Sequence, residues 1–283
     1  MTSRREGMLK GVVMRVRLVL ACLVVTVLAA PSSAWGAPPL PSSIAAIGDS
    51  ITRATDVCCW YGDHPAQSWS TGGGILDGIS SHYERIRAAR PSTYGRNYND
   101  ARSGAKMRDA ELQAGLAVSQ GAGYVTFLMG ANDLCTSSPA TMTSVTDFQT
   151  QFSAAMSKLA AGLPADSHVF VSSIPDLFQL WQLFRANSTA QFVWGIAGIC
   201  QSMLSPANTD ADRQAVVDRE RAFNQVLRNV CSQYSFCLYD NDATFEFRFS
   251  AGDVSKLDYF HPSLAGQAKL ASLTWQHSWW AAM

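Results

Sequence analysis

The sequence predicts an α/β protein in which a mostly parallel sheet is covered by helices on both faces. Two observations carry this. Short apolar runs recur along the chain at residues 44–47, at 124–129, at His168–Val171 and, more weakly, at 236–239. Each is too short for a helix and reads as a buried strand. Between them lie segments with helical spacing. Phe148, Phe152, Ala155, Met156 and Leu159 share one helical face, which Gly162-Leu163-Pro164 ends. Residues 107–120 and 211–230 are further helix candidates. Strands alternating with helices imply parallel pairing, and a parallel sheet needs cover on both sides. Ligands of such sheets bind beyond the carboxyl ends of the strands. The polar clusters Gly48-Asp49-Ser50 and Gly130-Ala131-Asn132-Asp133 both follow predicted strands.

The chain has 283 residues, 47% hydrophobic and 16% charged, a composition that fills a large core and excludes a disordered protein. Its zero net charge averages two unlike parts. Residues 1–36 carry Arg4, Arg5, Lys10, Arg15 and Arg17 against Glu6; the remainder holds 17 basic and 21 acidic residues. That remainder lacks the basic excess that nucleic-acid binding requires. The basic stretch, the apolar run at residues 18–30 and the small residues Ser32, Ala34 and Gly36 read as a secretory signal peptide cleaved between 34 and 37. The run is too short to span a bilayer comfortably, so no transmembrane segment is expected after its removal. Residues 37–283 then form a single domain, secreted and extracellular.

Beyond Cys22 in the leader, the chain has Cys58, Cys59, Cys135, Cys200, Cys231 and Cys237. An even set in an exported chain suggests disulfides, with fifteen full pairings open. Cys231 with Cys237 is a plausible local bridge and Cys135 with Cys200 a plausible long one. That scheme leaves Cys58 and Cys59 as a strained vicinal pair. A zinc site is the rival reading, but no Cys-x-x-Cys or spaced histidine pair supports it.

A serine nucleophile needs a base, an orienting partner for that base and donors for the oxyanion. Ser50 follows a predicted strand and Gly48; alone, it is equally a helix cap. Among His64, His82, His168, His261 and His277, only His261 has an aspartate three residues before it, in Asp258-Tyr259-Phe260-His261. One short loop can therefore present acid and imidazole together. Asn132 can donate its side-chain amide, and Gly104 can offer a backbone N–H; alone, they are a turn residue and a loop glycine.

In this order (Gly-Asp-Ser, Gly, Gly-x-Asn-Asp, Asp-x-x-His) the chain resembles the SGNH, or GDSL-type, hydrolase superfamily over nearly its whole length past the leader. The resemblance implies a three-layer α/β/α flavodoxin-like fold with a mostly parallel five-stranded sheet. It implies Ser50 as nucleophile and first oxyanion donor, Gly104 and Asn132 as the other donors, His261 as base and Asp258 as its partner. It also implies no metal and no organic cofactor. Ser68-Trp69-Ser70-Thr71-Gly72-Gly73 and Asn132-Asp133-Leu134-Cys135 look like the phospholipase B-like branch, whereas Ile51-Thr52-Arg53-Ala54 and Cys58-Cys59-Trp60 depart from it.

An insertion at about 177–206 breaks the strand–helix rhythm and is dense in Leu, Phe and Trp. It is either an extra helical layer or an apolar wall for an acyl chain. The second reading favours lipid or phospholipid acyl esters over acetylated sugars. A carbohydrate acetyl esterase, a decayed binding protein on the same fold and a metal-dependent phosphoesterase are the rivals. Asn187-Ser188-Thr189 matches a glycosylation sequon by chance.

Overall fold

The computed structural model describes residues 37–283; the predicted leader lies outside them. Five strands are present: β1 (Ile44–Gly48), β2 (Asn97–Asn99), β3 (Tyr124–Leu128), β4 (His168–Val171) and β5 (Cys237–Tyr239). All pair in parallel, in the order β2-β1-β3-β4-β5. This is the doubly wound flavodoxin-like order, whose switch point lies between β1 and β3. The mostly parallel sheet expected from the sequence is therefore wholly parallel. β2 carries no apolar run. It is an edge strand, Asn-Tyr-Asn, half-buried throughout, and its register is set by Ile44 opposite Asn97.

Ten helices complete the described chain: α1 (His82–Ala89), α2 (Ala110–Ser119), α3 (Ala131–Leu134), α4 (Val145–Gly162), α5 (Leu177–Phe184), α6 (Ser188–Ile196), α7 (Gln201–Leu204), α8 (Asp210–Cys231), α9 (Ala243–Glu246) and α10 (Leu264–Gln276). Polar side chains start them where the sequence places them. Ser81 and Thr209 form capping boxes with Glu84 and Asp212, and Ser144 accepts the Asp147 N–H. Residues 107–109 form a tight turn ahead of α2, so the helix expected from 107 begins three residues later.

Strand side chains alternate between two cores, as a period of two requires. Ala45, Ile47, Val125, Phe127, Val169 and Val171 face the core that contains α2, α4 and α8. Ile44, Tyr124 and Phe170 face Tyr83 and Ile86 of α1 and Trp275 of α10. Among the described residues, no helix is long and apolar enough to cross a membrane.

The insertion forms α5, α6 and α7. It is tied down by the Cys135–Cys200 disulfide and by the Arg213 guanidinium stacked 3.8 Å from the Trp181 ring centroid. A second disulfide, Cys231–Cys237, closes the turn from α8 into β5. Cys58 and Cys59 are free thiols, which corrects the vicinal pairing. Adjacent residues bridge only by distorting the planar trans peptide between them.

Candidate active site

Ser50 sits in the turn leaving β1, at the carboxyl edge of the sheet, and is buried. Gly48 makes this turn possible. A Cβ there would lie 2.4 Å from Thr52 Oγ1 and 2.8 Å from the Leu128 carbonyl, so only glycine lets the two chains approach. Gln113 of α2 clamps the same residue: its Oε1 accepts the Gly48 N–H at 2.8 Å and its Nε2 donates to the Gly48 carbonyl at 3.0 Å. Beyond Ser50, Asp49 Oδ1 accepts the Ile51 N–H at 2.9 Å, and Gln267 of α10 donates to the Ile51 carbonyl at 2.8 Å. The nucleophile candidate is thereby anchored to helices on both faces of the sheet.

Asn132 is on α3, directly after β3, and its Nδ2 donates to the Ala105 carbonyl at 3.0 Å. An amide nitrogen has two donors, so one N–H is left to point elsewhere. The bond also fixes the loop of Gly104, whose φ of +80° is a left-handed conformation that glycine adopts without strain. Among the described residues, the Ser50 and Gly104 N–H groups are in no main-chain hydrogen bond. Asp133, predicted only as part of the motif, is structural. Its carboxylate accepts the Met107 N–H at 2.8 Å and the Thr143 hydroxyl at 2.7 Å.

Asp258 and His261 lie on the loop between α9 and α10. Asp258 Oδ1 accepts the Phe260 and His261 N–H groups at 2.9 and 3.1 Å, which folds the loop into a tight turn. Asp258 Oδ2 stands 2.5 Å from His261 Nδ1. Burial pushes the Asp258 carboxyl up. The His261 ring contact, its charge and the two N–H bonds outweigh that and hold it below the usual carboxylate range. His261 Nε2 is buried and has no hydrogen-bond partner, Ser50 Oγ included.

Neighbours of three of the candidate residues line one apolar pocket. It is lined by Ile51, next to Ser50; by Ala131, next to Asn132; and by Phe260 and Pro262, which bracket His261. The pocket has a cavity volume of about 70 Å³. Its far wall is Leu177, Leu180 and Leu183 of α5, with Phe249. The insertion is thus both an added helical layer and a pocket wall. Several polar atoms of the pocket lining are engaged in internal hydrogen bonds, although Gln179 Nε2 and Asp253 Oδ1 are not. Asp176 accepts from Gln179 N and Arg248, Gln179 Oε1 from Phe249 N, and Asp253 from Ser250 and Lys269.

Two neighbours escaped the sequence reading. Asp49 is fully buried with Oδ2 unpaired; burial raises its carboxyl to about 6, and the charge of His261 opposes that rise. Asp56 stands beside the pair, with ligand atoms of Asp56, Asp258 and His261 all within 4.8 Å of one another. Its carboxyl accepts the Gly62 N–H at 2.6 Å. Burial and the adjacent Asp258 raise it. These three side chains are the group that could ligate a cation, but a cation on His261 Nδ1 would displace its contact with Asp258. Asp49 is visible in the sequence only as part of the Gly-Asp-Ser motif, and Asp56 has no signal there, because its contact with Asp258 joins distant parts of the chain. The other histidines are elsewhere. His82 is buried between Tyr124 Oη at 3.0 Å and Thr274 Oγ1 at 2.9 Å, and burial, helped by Arg85, lowers it to about 3.

The sheet order, with a polar cluster at its carboxyl edge, defines a flavodoxin-like α/β fold. Residues 44–274 match the GDSL-like lipase/acylhydrolase family, and the chain belongs to that family. The family acts on small-molecule esters. No curated protein matches the chain. Among solved structures, it is similar to LAE5, an alpha/beta hydrolase enzyme from the metagenome of Lake Arreo, Spain, at 17% identity and a TM-score of 0.52, covering 83% of this chain and 94% of that one. It is also similar to the acetyl xylan esterase AlAXEase, at 13% identity and a TM-score of 0.48, covering 83% and 98%. A Clostridium thermocellum family 3 carbohydrate esterase matches at 13% identity and a TM-score of 0.47, covering 83% and 93%.

Proposed function

We propose that the protein is a secreted serine ester hydrolase that cleaves lipid or phospholipid acyl esters through an acyl-enzyme on Ser50. The apolar pocket carries this reading. Its lining includes Ile51, next to Ser50, and Phe260 and Pro262, which bracket His261; its wall is leucine and phenylalanine, and several of its polar atoms are held in internal hydrogen bonds. An acyl chain gains more from such a surface than a sugar, whose hydroxyls would meet few free partners there. The two disulfides suit an oxidising compartment and support secretion.

Ser50 Oγ attacks the ester carbonyl while His261 Nε2 takes its proton. Asp258 holds the ring by Nδ1, so Nε2 is the free nitrogen, and its anionic carboxylate stabilises the imidazolium that forms. The N–H groups of Ser50 and Gly104 and the Asn132 amide receive the developing oxyanion. The tetrahedral adduct collapses, and His261 returns the proton to the leaving alcohol. Water, activated by the same nitrogen, then releases the acid and restores Ser50. No hydrogen bond joins Ser50 Oγ to Nε2 before substrate binds, and such contacts often tighten only in the substrate complex.

The test is Ser50→Ala against a p-nitrophenyl ester series from acetate to palmitate, with fluorophosphonate labelling of the unaltered chain. Activity should vanish in the variant with the fold intact, and the label should sit on Ser50. Full activity of the variant overturns the assignment. An unlabelled, inactive wild-type chain would favour a binding protein on the same fold.

A further inference from the structure

Large apolar side chains crowd the segments around the catalytic loop without being packed. Trp60 and Tyr61 are 67% and 70% exposed; Ile75 and Leu76 are 88% and 100% exposed. Their two loops are joined where the Gly74 N–H donates to the Ala66 carbonyl at 2.9 Å. The first loop is fastened to the catalytic turn: the Tyr61 hydroxyl donates to the Leu257 carbonyl at 3.1 Å, and the Ser255 hydroxyl donates to the Asp56 carbonyl. A second apolar face borders the same turn. Phe192 and Ile196, one helical turn apart on α6, are exposed, while Trp194 between them points inward and donates Nε1–H to the Tyr259 carbonyl at 3.1 Å.

We propose that these two patches seat the enzyme on an uncharged or zwitterionic lipid surface, with the pocket mouth held against it. This rests on the lipid-ester reading above and extends it from the substrate molecule to the aggregate it sits in. Charge selects the occupant. Between Arg185 and Asp210 the chain has no ionisable side chain. Between residues 57 and 81 it has Asp63, His64 and Asp77 but no lysine or arginine, and Asp63 is engaged by Arg53. An anionic membrane is recognised by basic clusters, and on the turn that the two patches border Lys256 is a single basic residue among Asp253 and Asp258. Shape points the same way. Ile75 and Leu76 form a protruding tip that enters an acyl layer directly, and Trp and Tyr beside it suit the interfacial depth.

The experiment is sedimentation of the Ser50→Ala protein with sucrose-loaded vesicles of an ether-linked, non-hydrolysable phosphatidylcholine. Binding is expected, insensitive to salt, and weakened at least about tenfold by adding Ile75→Ser and Leu76→Ser, given the apolar area those side chains would bury. In the active enzyme the same two changes should leave p-nitrophenyl acetate hydrolysis intact. Binding is read without turnover, so it succeeds or fails separately from the esterase assignment. The proposal is overturned by no binding, by binding that needs phosphatidylglycerol, or by binding that the two serines leave unchanged. A concentration-dependent dimer that the two serines abolish would also overturn it, because the patch would then be a self-interface.

Discussion

His261 Nδ1 lies 2.5 Å from Asp258 Oδ2, and the opposite nitrogen of the same ring is buried without a partner. One contact therefore sets the tautomer of the ring and leaves free the nitrogen that the proposed mechanism uses. Asp258→Asn keeps the size and the turn, because an amide oxygen can still accept the Phe260 and His261 N–H groups. It replaces the anion that the mechanism requires. The expected result is a fall in kcat of about 10³- to 10⁴-fold with an unchanged Tm, and fluorophosphonate labelling slowed in step. Labelling at the normal rate would place the base elsewhere.

Asn132 has two tasks in the proposed site: its amide holds the Gly104 loop through Ala105, and its second N–H is the proposed oxyanion donor. Asn132→Ala should lower kcat by about 100- to 1,000-fold with little change in KM. The measurement is steady-state hydrolysis of a short-chain ester. A change confined to KM would mean that Asn132 binds substrate equally in ground and transition states.

Asp56 tests whether the third carboxyl matters to the pair it flanks. Asp56→Asn keeps an acceptor for the Gly62 N–H and puts an amide donor against Asp258. Asp56→Ala leaves that N–H without its partner and opens a gap beside the triad. The asparagine variant should retain kcat/KM within about threefold, and the alanine variant should lose about tenfold or more. Equal losses would assign Asp56 to charge rather than to position.

The parts of this molecule that the sequence made legible are those encoded locally. The strands through residues 44–47 and 124–128 announce themselves because both faces are buried, and Asp258 and His261 because three residues separate partners in one turn. β2 stayed hidden because an edge strand needs no apolar run. The environments of Asp49 and Asp56 stayed hidden because they come from chain some 200 residues away. The insertion was legible as apolar but not as a wall, since lining the pocket depends on α5 lying across the carboxyl edge of the sheet. Cys58 and Cys59 were misread because counting thiols says nothing about the geometry of neighbours.

Leu180 lines the pocket from α5. Leu180→Trp should shorten the accepted chain, because extra side-chain volume occupies the space an acyl tail would fill. Activity on p-nitrophenyl palmitate should fall at least about tenfold relative to acetate, which corresponds to losing about 1.4 kcal/mol of tail burial. An unchanged chain-length profile would show that the acyl group lies elsewhere.

His82 makes a pH-dependent contribution to stability that is separable from catalysis. Folded, it is held to about 3; unfolded, it titrates near its ordinary 6.5. The unfolded chain therefore takes up the proton first, and stability present above about 6.5 is lost as pH falls toward 3. Between pH 7.5 and 4.5 this amounts to about 3 kcal/mol. Asp49 acts in the opposite sense. Its folded value near 6 lies above its ordinary 3.8, so acidification through that window stabilises the fold by about 2 kcal/mol. The wild-type pH profile mixes the two and is not diagnostic, so the informative quantity is a difference. His82→Gln can still bond Tyr124 and Thr274 but does not titrate. In urea unfolding it should be less stable than wild type at pH 7.5, with the gap narrowing or reversing by pH 4.5. A gap that stays constant would mean that His82 is not the group kept neutral by the core.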